Sequence, residues 1–328
     1  MIFTGIGAAA NADITVASFG AELSRQGPGL LYRDIVSGDD PQVQAAIAVI
    51  ASQNPDILLL TGFDWDAQGL ALAAFQAQLT AAGSDYPYHY APRPNSGMDS
   101  GHDLDGDGRD GGPRDAQGYG RFSGDGGMAL LSRFPVDQAH SRDFSDLLWA
   151  DLPETKLTSE DPGWQVQRLS SVAHWDVAVR VHETPLHLWA MSATPPVFDG
   201  PEDRNGRRNH DELAFWSRYL DGRLPWAPVP QPFVLLGDFQ IDPAKGQGQT
   251  AAIDTLLADA RLQDPLPGAN TVQYDPAGVG ALRVDYVLPS RQITVLDAGV
   301  IWPIDGPLAQ AAQQASRHKM VWVSIAWP

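Results

Sequence analysis

The stretch that most limits what this chain can fold into is Phe233-Val234-Leu235-Leu236, followed by Gly237-Asp238-Phe239-Gln240-Ile241-Asp242-Pro243. Four consecutive large apolar residues closed by Gly-Asp are the pattern of a strand buried on both faces, and such a strand needs a layer on each side. It releases Asp238 at its C-terminal end, the rim where folds layered from helices and sheets put their chemistry. An Asp after a Gly also suits a plain turn, so the rest of the sequence has to decide.

Along the chain, Ile14 to Phe19 reads as a strand ending at Gly20. Asp40 and Pro41 then supply an N-cap and first helical residue for a helix carrying Val43, Ile47 and Ile50 on one face. Ile57 to Leu60 is the next strand, and strand-helix-strand order predicts α/β layering. Leu72, Phe75 and Leu79 lie at helical spacing before a stop near Gly83. Residues 94–127 are dense in Gly and Asp without an apolar period, and read as a long loop held by something other than a core. Met128 to Leu131 restores the strand pattern, with further strands expected over 171–181, 186–191, 283–288, 294–301 and 320–326. Asn209 and Glu212 have capping-box spacing and predict a helix start, with Leu213, Trp216 and Leu220 on one face and Gly222 as its stop. A last helix is read from about Thr250 to Ala260. No repeat and no linker divides the chain, so residues 13–328 read as one domain.

Composition narrows the function. Of 328 residues, 43% are hydrophobic, enough for a sizeable core, and the formal net charge of -18 disfavours broad binding to duplex nucleic acid or anionic membrane. There is no Cys, which removes disulfides, thiolate chemistry and Cys-based zinc sites. Residues 1–12, MIFTGIGAAANA, are small and apolar and end in the A-x-A form of a signal-peptidase site, although they lack a basic region. They read either as the remnant of an export signal, which places the protein in the periplasm or outside the cell, or as an ordinary N-terminus. No later run of about 20 apolar residues could span a bilayer.

Residues 103–108, Asp-Leu-Asp-Gly-Asp-Gly, set Asp103, Asp105 and Asp107 at positions 1, 3 and 5 of a turning loop with Gly at position 6. Ca²⁺ takes several hard oxygen ligands from such a loop, and the carbonyl of Arg109 is placed to add another. Arg114 stands where a full EF-hand has Glu, so Asp110 or Asp115 has to substitute. The expectation is a structural Ca²⁺ that orders the loop; the plain alternative is a solvated acidic turn.

Taken as a set, ITVASF, PDILLLTGFDWD, SGHDLDGDGRDGGPRD, GGMALLSRFPV, RLSSVAHWDV, ATPPVFDGPEDRNGRRNHDE, FVLLGDFQIDP, LRVDYVLPS and SRHKMVWV resemble the endonuclease/exonuclease/phosphatase superfamily, in particular its bacterial extracytoplasmic branch. The resemblance implies an α+β fold, a four-layer α/β/β/α sandwich of two mixed sheets flanked by helices, with an active site where loops at one edge of both sheets converge. It also implies that much of that site is altered. The family's Asn after the first strand is Gly20, its metal-binding Glu is Gly62, its phosphate-contacting Tyr is Gly126, and its first phosphate-binding His is Ser192. Its Asp-x-Asn pair is Asp238 with Gln240, and its terminal Asp-His pair is Arg317 with His318. Asp238, Asp285 and His318 survive, Asp285 in the role of orienting the terminal His.

With two carboxylate positions lost and a cation at one of them, the resemblance implies that Mg²⁺ is not held in the ordinary way. Arg317 is expected either to pair with Asp238 as a structural ion pair or to bind an anion beside His318. Arg204, Arg207 and Arg208 are expected to brace the site loops through Asp199, Glu202 and Asp203. Three readings of function follow. The first is an impaired phosphoesterase kept as an anion-binding or scaffold module, with an unknown protein or a phosphate-bearing small molecule as partner, acting as a monomer. The second is a working metal-dependent phosphomonoesterase or phosphodiesterase whose reduced site enlists Asp64 or Asp66. The third is a calcium-dependent surface protein.

Overall fold

A computed structural model describes residues 12–182, 184–229 and 232–327. In chain order its elements are β1 (Ala12–Leu23), α1 (Leu30–Ser37), α2 (Pro41–Gln53), β2 (Ile57–Phe63), α3 (Leu70–Ala81), β3 (Tyr88–Tyr90), β4 (Gly127–Ser132) and β5 (Arg142–Asp143). There follow β6 (Ala173–Val181), β7 (Thr184–Ser192), α4 (Arg204–Leu220), β8 (Phe233–Asp238), α5 (Ala251–Ala258), β9 (Val272–Gln273), β10 (Ala281–Leu282), β11 (Asp285–Pro289), β12 (Thr294–Val300), α6 (Gly306–Ala315) and β13 (Val321–Trp327). Except for Ala12, where β1 begins, the expected leader at 1–12 lies outside the described residues.

Two mixed sheets carry the fold. One has the order β12-β13-β1-β2-β4-β3 and the other β11-β8-β7-β6-β5. They pack face to face through Val16, Leu59 and Leu130 on one side and Val177, Leu188 and Leu236 on the other, all fully buried. Helices α1, α2, α3 and α6 cover the outer face of the first sheet, with Ile35, Ile50, Phe75 and Leu79 against Phe19, Leu58 and Leu60. The outer face of the second sheet is covered by α4 and α5, where Leu213, Trp216, Ile253 and Leu256 meet Trp189, Phe233 and Leu235. The run Phe233–Leu236 thus alternates between two cores, and that is why all four residues had to be apolar. Helices on both outer faces of two mixed sheets are the four-layer α+β sandwich expected.

Local rules explain most boundaries. Asp40 caps α2 by accepting from Val43 N at 2.9 Å, with Pro41 at the first helical position. The capping-box expectation at Asn209 fails: α4 starts five residues earlier, at Arg204 after Asp203. Asn209 and Glu212 are instead buried inside the helix, with side chains committed to distant backbone. Two helices, α1 and α6, go beyond the sequence reading; they are short, 8 and 10 residues, and bury only Leu31 and Ile35, and Ala312 and Ala315. Residues 94–127 do form a long loop, pinned by hydrogen bonds. Asn95 Nδ2 donates to Ser145 O at 2.6 Å and to Ser170 O at 2.8 Å. At Gly118 the loop runs so close to Ser171 that an added Cβ would lie 1.7 Å from its carbonyl oxygen.

Candidate functional site

Strand register brings the surviving residues together. Asp238 ends β8 directly opposite Asp285, the first residue of β11, and on its other side faces Ser192 at the end of β7. His318 reaches the same place from the segment before β13, bridged to Val272. Asp238, Asp285 and His318 are 6%, 1% and 4% exposed, and each offers a donor atom within 4.8 Å of the others. His318 Nδ1 donates to both oxygens of Asp285, at 3.0 and 3.1 Å, the contact that the orienting role expected of Asp285 would use. Among the described residues Nε2 has no hydrogen-bond partner.

Burial shapes the charges. Loss of water pushes the Asp238 carboxyl up to about 7; His318 pulls it down, and Asp285 pushes it further up. Burial disfavours the charged imidazole of His318, but Asp285 and Asp238 overcome this and raise it to about 9. The cluster is therefore an imidazolium between two carboxyl groups, largely self-compensating.

The altered positions explain one another. A Cβ at Gly20 would lie 2.8 Å from His318 Cγ, so the His318 ring occupies the space that a side chain at position 20 would need. Gly62 has φ 67° at a bulge between β2 and β4, and an added Cβ would meet Glu22 N at 3.3 Å; a Glu there would be strained. Gly126 also has a left-handed φ, of 62°, and its N–H donates to Asp64. Gln240, at φ 58°, folds back so that Nε2 donates to Asp238 Oδ2 at 2.5 Å and its backbone N to Oδ1 at 3.2 Å.

Arg317 does not pair with Asp238, which corrects one of the two expectations for it. Its Nε donates to Glu22 Oε1 at 2.8 Å, Nη2 donates to the same oxygen, and its backbone N donates to Oε2 at 2.8 Å. Its guanidinium lies 5.3 Å from the Tyr274 ring centroid, and its side chain is 61% exposed. The reason is proximity. Glu22 leaves the end of β1 with φ 49°, beside Gly62, and accepts from Ser316 Oγ as well. Burial works against the Glu22 charge, but the donors of Arg317 hold its carboxyl below the usual range. Sequence reasoning missed Glu22 and Tyr274; neither lies at a position the resemblance marks.

Asp64 and Asp66 do not join the cluster. Asp64 accepts from Arg25 N and Gly126 N, with burial pushing it up to about 6, and Asp66 accepts from Gln68, Leu70 and Ala71 N at the start of α3. Mg²⁺ prefers an octahedron of hard oxygens. Here Asp238 accepts from the Gln240 amide, Asp285 from imidazole and Glu22 from guanidinium, while Asp238, Asp285 and His318 together present two carboxylates and one imidazole to any ion.

The Asp103 loop is a separate acidic group. Asp103, Asp105 and Asp115 offer oxygens within 4.8 Å of one another, while Asp107 falls outside that group. Asp103 accepts from Gly106, Asp107 and Gly108 N, Asp107 from Arg109 N, and Asp115 from Leu104 and Gly112 N. Three oxygens of this kind could take a hard cation, with water or carbonyls completing the shell.

The arginines at the start of α4 do brace the edge, but through other partners than expected. Arg207 pairs with Asp161 at 2.6 Å, Arg204 donates to Pro162 O at 2.7 Å, and Arg208 donates to the carbonyls of Leu169, Gln117 and Arg168. Asp199, Glu202 and Asp203 instead serve Asn205 N, Gly200 N and Gln249 Nε2. Trp149 is fully buried, its indole donating to Asp211 at 2.8 Å; Trp65 donates to Ala91 O at 3.0 Å.

Residues 32–324 match the Endonuclease/Exonuclease/phosphatase family. No curated protein matches the chain in sequence. Among solved structures, an endonuclease/exonuclease/phosphatase from Beutenbergia cavernae DSM 12333 is similar with TM-score 0.58 and 18% identity, over 96% of this chain and 72% of that one. The mannosyl-6-phosphatase Bt3783 of Bacteroides thetaiotaomicron VPI-5482 gives 0.54 and 15%, over 96% and 100%. Sphingomyelinase C from Streptomyces griseocarneus gives 0.51 and 18%, over 95% and 99%. At these identities the likeness is one of fold.

Proposed function

Because the chain belongs to the endonuclease/exonuclease/phosphatase family, we propose that it is a member that has given up metal-dependent hydrolysis and keeps its loop edge to bind an anionic group, on a phosphate-bearing small molecule or a partner protein. The observation that carries this reading is the interlock of Gly20 and His318. The imidazole fills the space of the side chain at 20 and is clamped by Asp285. The unpartnered Nε2 of His318 and the half-solvated guanidinium of Arg317 are the donors for an anion, which would compete with Glu22 for Arg317.

Asp115 together with Asp103 and Asp105 supports a second element of the reading, a structural Ca²⁺ in the 103–115 loop. The A-x-A end of residues 1–12 supports export to the periplasm or beyond.

The opposing reading is a reduced hydrolase, favoured by the 4.8 Å convergence of Asp238, Asp285 and His318. Hydrolysis of an aryl phosphomonoester and an aryl phosphodiester in Mg²⁺, Mn²⁺ and Ca²⁺ separates the two, with Asp238→Ala run beside the wild type. Equal background from both proteins is expected. Metal-dependent turnover that vanishes in Asp238→Ala would replace the binding module by a rebuilt hydrolytic site.

A further inference from the structure

At the far edge of the second sheet, where β6 turns into β7, a cavity of about 600 Å³ is lined by Asp137, His140, Arg142, Arg180, His182 and His187, among others. It is remote from the loop edge in register: Arg180 faces Pro185, whereas Ala173 and Ser192 mark the other end of the same hairpin. Its volume is within the range of small-molecule sites, ~300–1,000 Å³. In a chain of net charge -18, three of the eight histidines and two arginines line this one space, with Asp137 as the acid among its described lining residues.

The polar groups beneath it are fixed in advance. Asp176 is fully buried; it accepts from His187 Nδ1 at 2.6 Å and from Tyr219 Oη at 3.2 Å. Arg142 Nη1 donates to Tyr219 Oη at 3.0 Å and to Ala227 O at 2.6 Å. These bonds satisfy the buried carboxylate, and a purely structural network could end there. Instead, it leaves His187 Nε2 and the Nε and Nη2 groups of Arg142 without partners among the described residues, and none of them is sealed from solvent. Arg180 adds a 61% exposed guanidinium whose nearest acid among the described residues, Asp137, is 3.9 Å away and already holds His140 at 3.1 Å. No three metal-ligating groups converge here among the described residues, and two guanidiniums oppose a cationic ligand.

We propose that this cavity is a second binding site, taking a small molecule that carries a phosphate or carboxylate group between Arg142, Arg180 and His187. Arginine recognises both groups by paired N–H donation. With the Nδ1 proton committed to Asp176, His187 Nε2 accepts from a phosphate hydroxyl or, once protonated, donates to an anionic oxygen. A phosphate uses either state and a carboxylate only the second, so the two chemistries are separable.

The test is titration of the full-length protein with inorganic phosphate and, separately, with acetate at constant ionic strength, following imidazole ¹⁵N and ¹H signals. His187 is expected to shift and saturate. His174, fully buried with Nε2 against Glu212 O and Nδ1 against Ser170 Oγ, should stay still. Saturation by phosphate alone names the phosphate class, and saturation by acetate includes carboxylates. Arg180→Gln, a change at an exposed side chain, should weaken the apparent affinity about tenfold, as for loss of one charge-assisted contact. Arg317→Gln, at the loop edge, should leave the His187 titration unchanged. No saturable shift at His187, or identical titrations for wild type and Arg180→Gln, would overturn the proposal and leave the loop-edge reading untouched.

Discussion

Glu212 and Asp238 are both buried carboxylates near the loop edge, and the chain treats them in opposite ways. Glu212 accepts from Ser171 N at 2.6 Å, Ser171 Oγ at 2.7 Å and Thr194 N at 2.7 Å, all from distant parts of the sequence. Its neighbour Asp211 accepts from Trp149 Nε1, Thr155 Oγ1, Lys156 N and His210 Nδ1. Among the described residues Asp238 is given donors only by Gln240, two residues along, and its register partner is a second acid. A carboxylate saturated by remote donors stitches a fold together. One left short of donors retains unused interaction capacity, the physical mark of a site, whether or not that site still turns over.

The comparison breaks first if Glu212 proves dispensable. Glu212→Ala strands three donors and the buried Arg208, and should cost about 3–5 kcal/mol of stability in chemical denaturation. A loss below about 1 kcal/mol would mean that remote donors do not distinguish a stitch from a site.

At the under-donated end the effect should appear as a pH dependence. His318, raised to about 9 from 6.5, adds stability that is complete below pH 6.5 and is lost as pH rises through 9. Asp238, raised to about 7 from 3.8, likewise lowers stability as pH climbs from 3.8 to 7. His318→Gln should therefore abolish a decline on the order of a few kcal/mol between pH 6.5 and 9. Denaturation curves that superimpose for the two proteins across that window would contradict the charged cluster.

Ca²⁺ sharpens the contrast with a third group, Asp103, whose donors all come from its own loop. At a hundredfold excess over Kd a bound ion adds about 2.7 kcal/mol, visible as a higher Tm. That gain should disappear in Asp103→Asn and survive in Asp238→Asn; without it, the loop is only an acidic turn. The smallest effect is expected at the exposed pair: Arg317→Ala should cost less than about 1 kcal/mol, since Glu22 is left near solvent.

The layers were legible because apolar period and β-branching report burial directly: Phe233–Leu236, Val43, Ile47, Ile50, Leu72, Phe75 and Leu79 all face cores. The Asp238, Asp285 and His318 cluster was legible through motif order, although no local pattern linked residues on three separate segments. Glu22 was not, because its place beside Arg317 depends on a left-handed residue at the end of β1 and a bulge at Gly62. Asn209 and Glu212 misled for a related reason. Their spacing fits a cap, but whether a side chain serves its own helix or a strand across the core is decided by packing, which spacing does not encode.

The Gly20 and His318 interlock also bears on which sequence changes the site tolerates. Asn at position 20 cannot enter while the ring stands 2.8 Å from its Cβ, and the ring is tied to Asp285. A Gly20→Asn change thus meets a steric penalty unless the ring moves first. In sequence space positions 20 and 318 are coupled, and a step at one is open only after a step at the other.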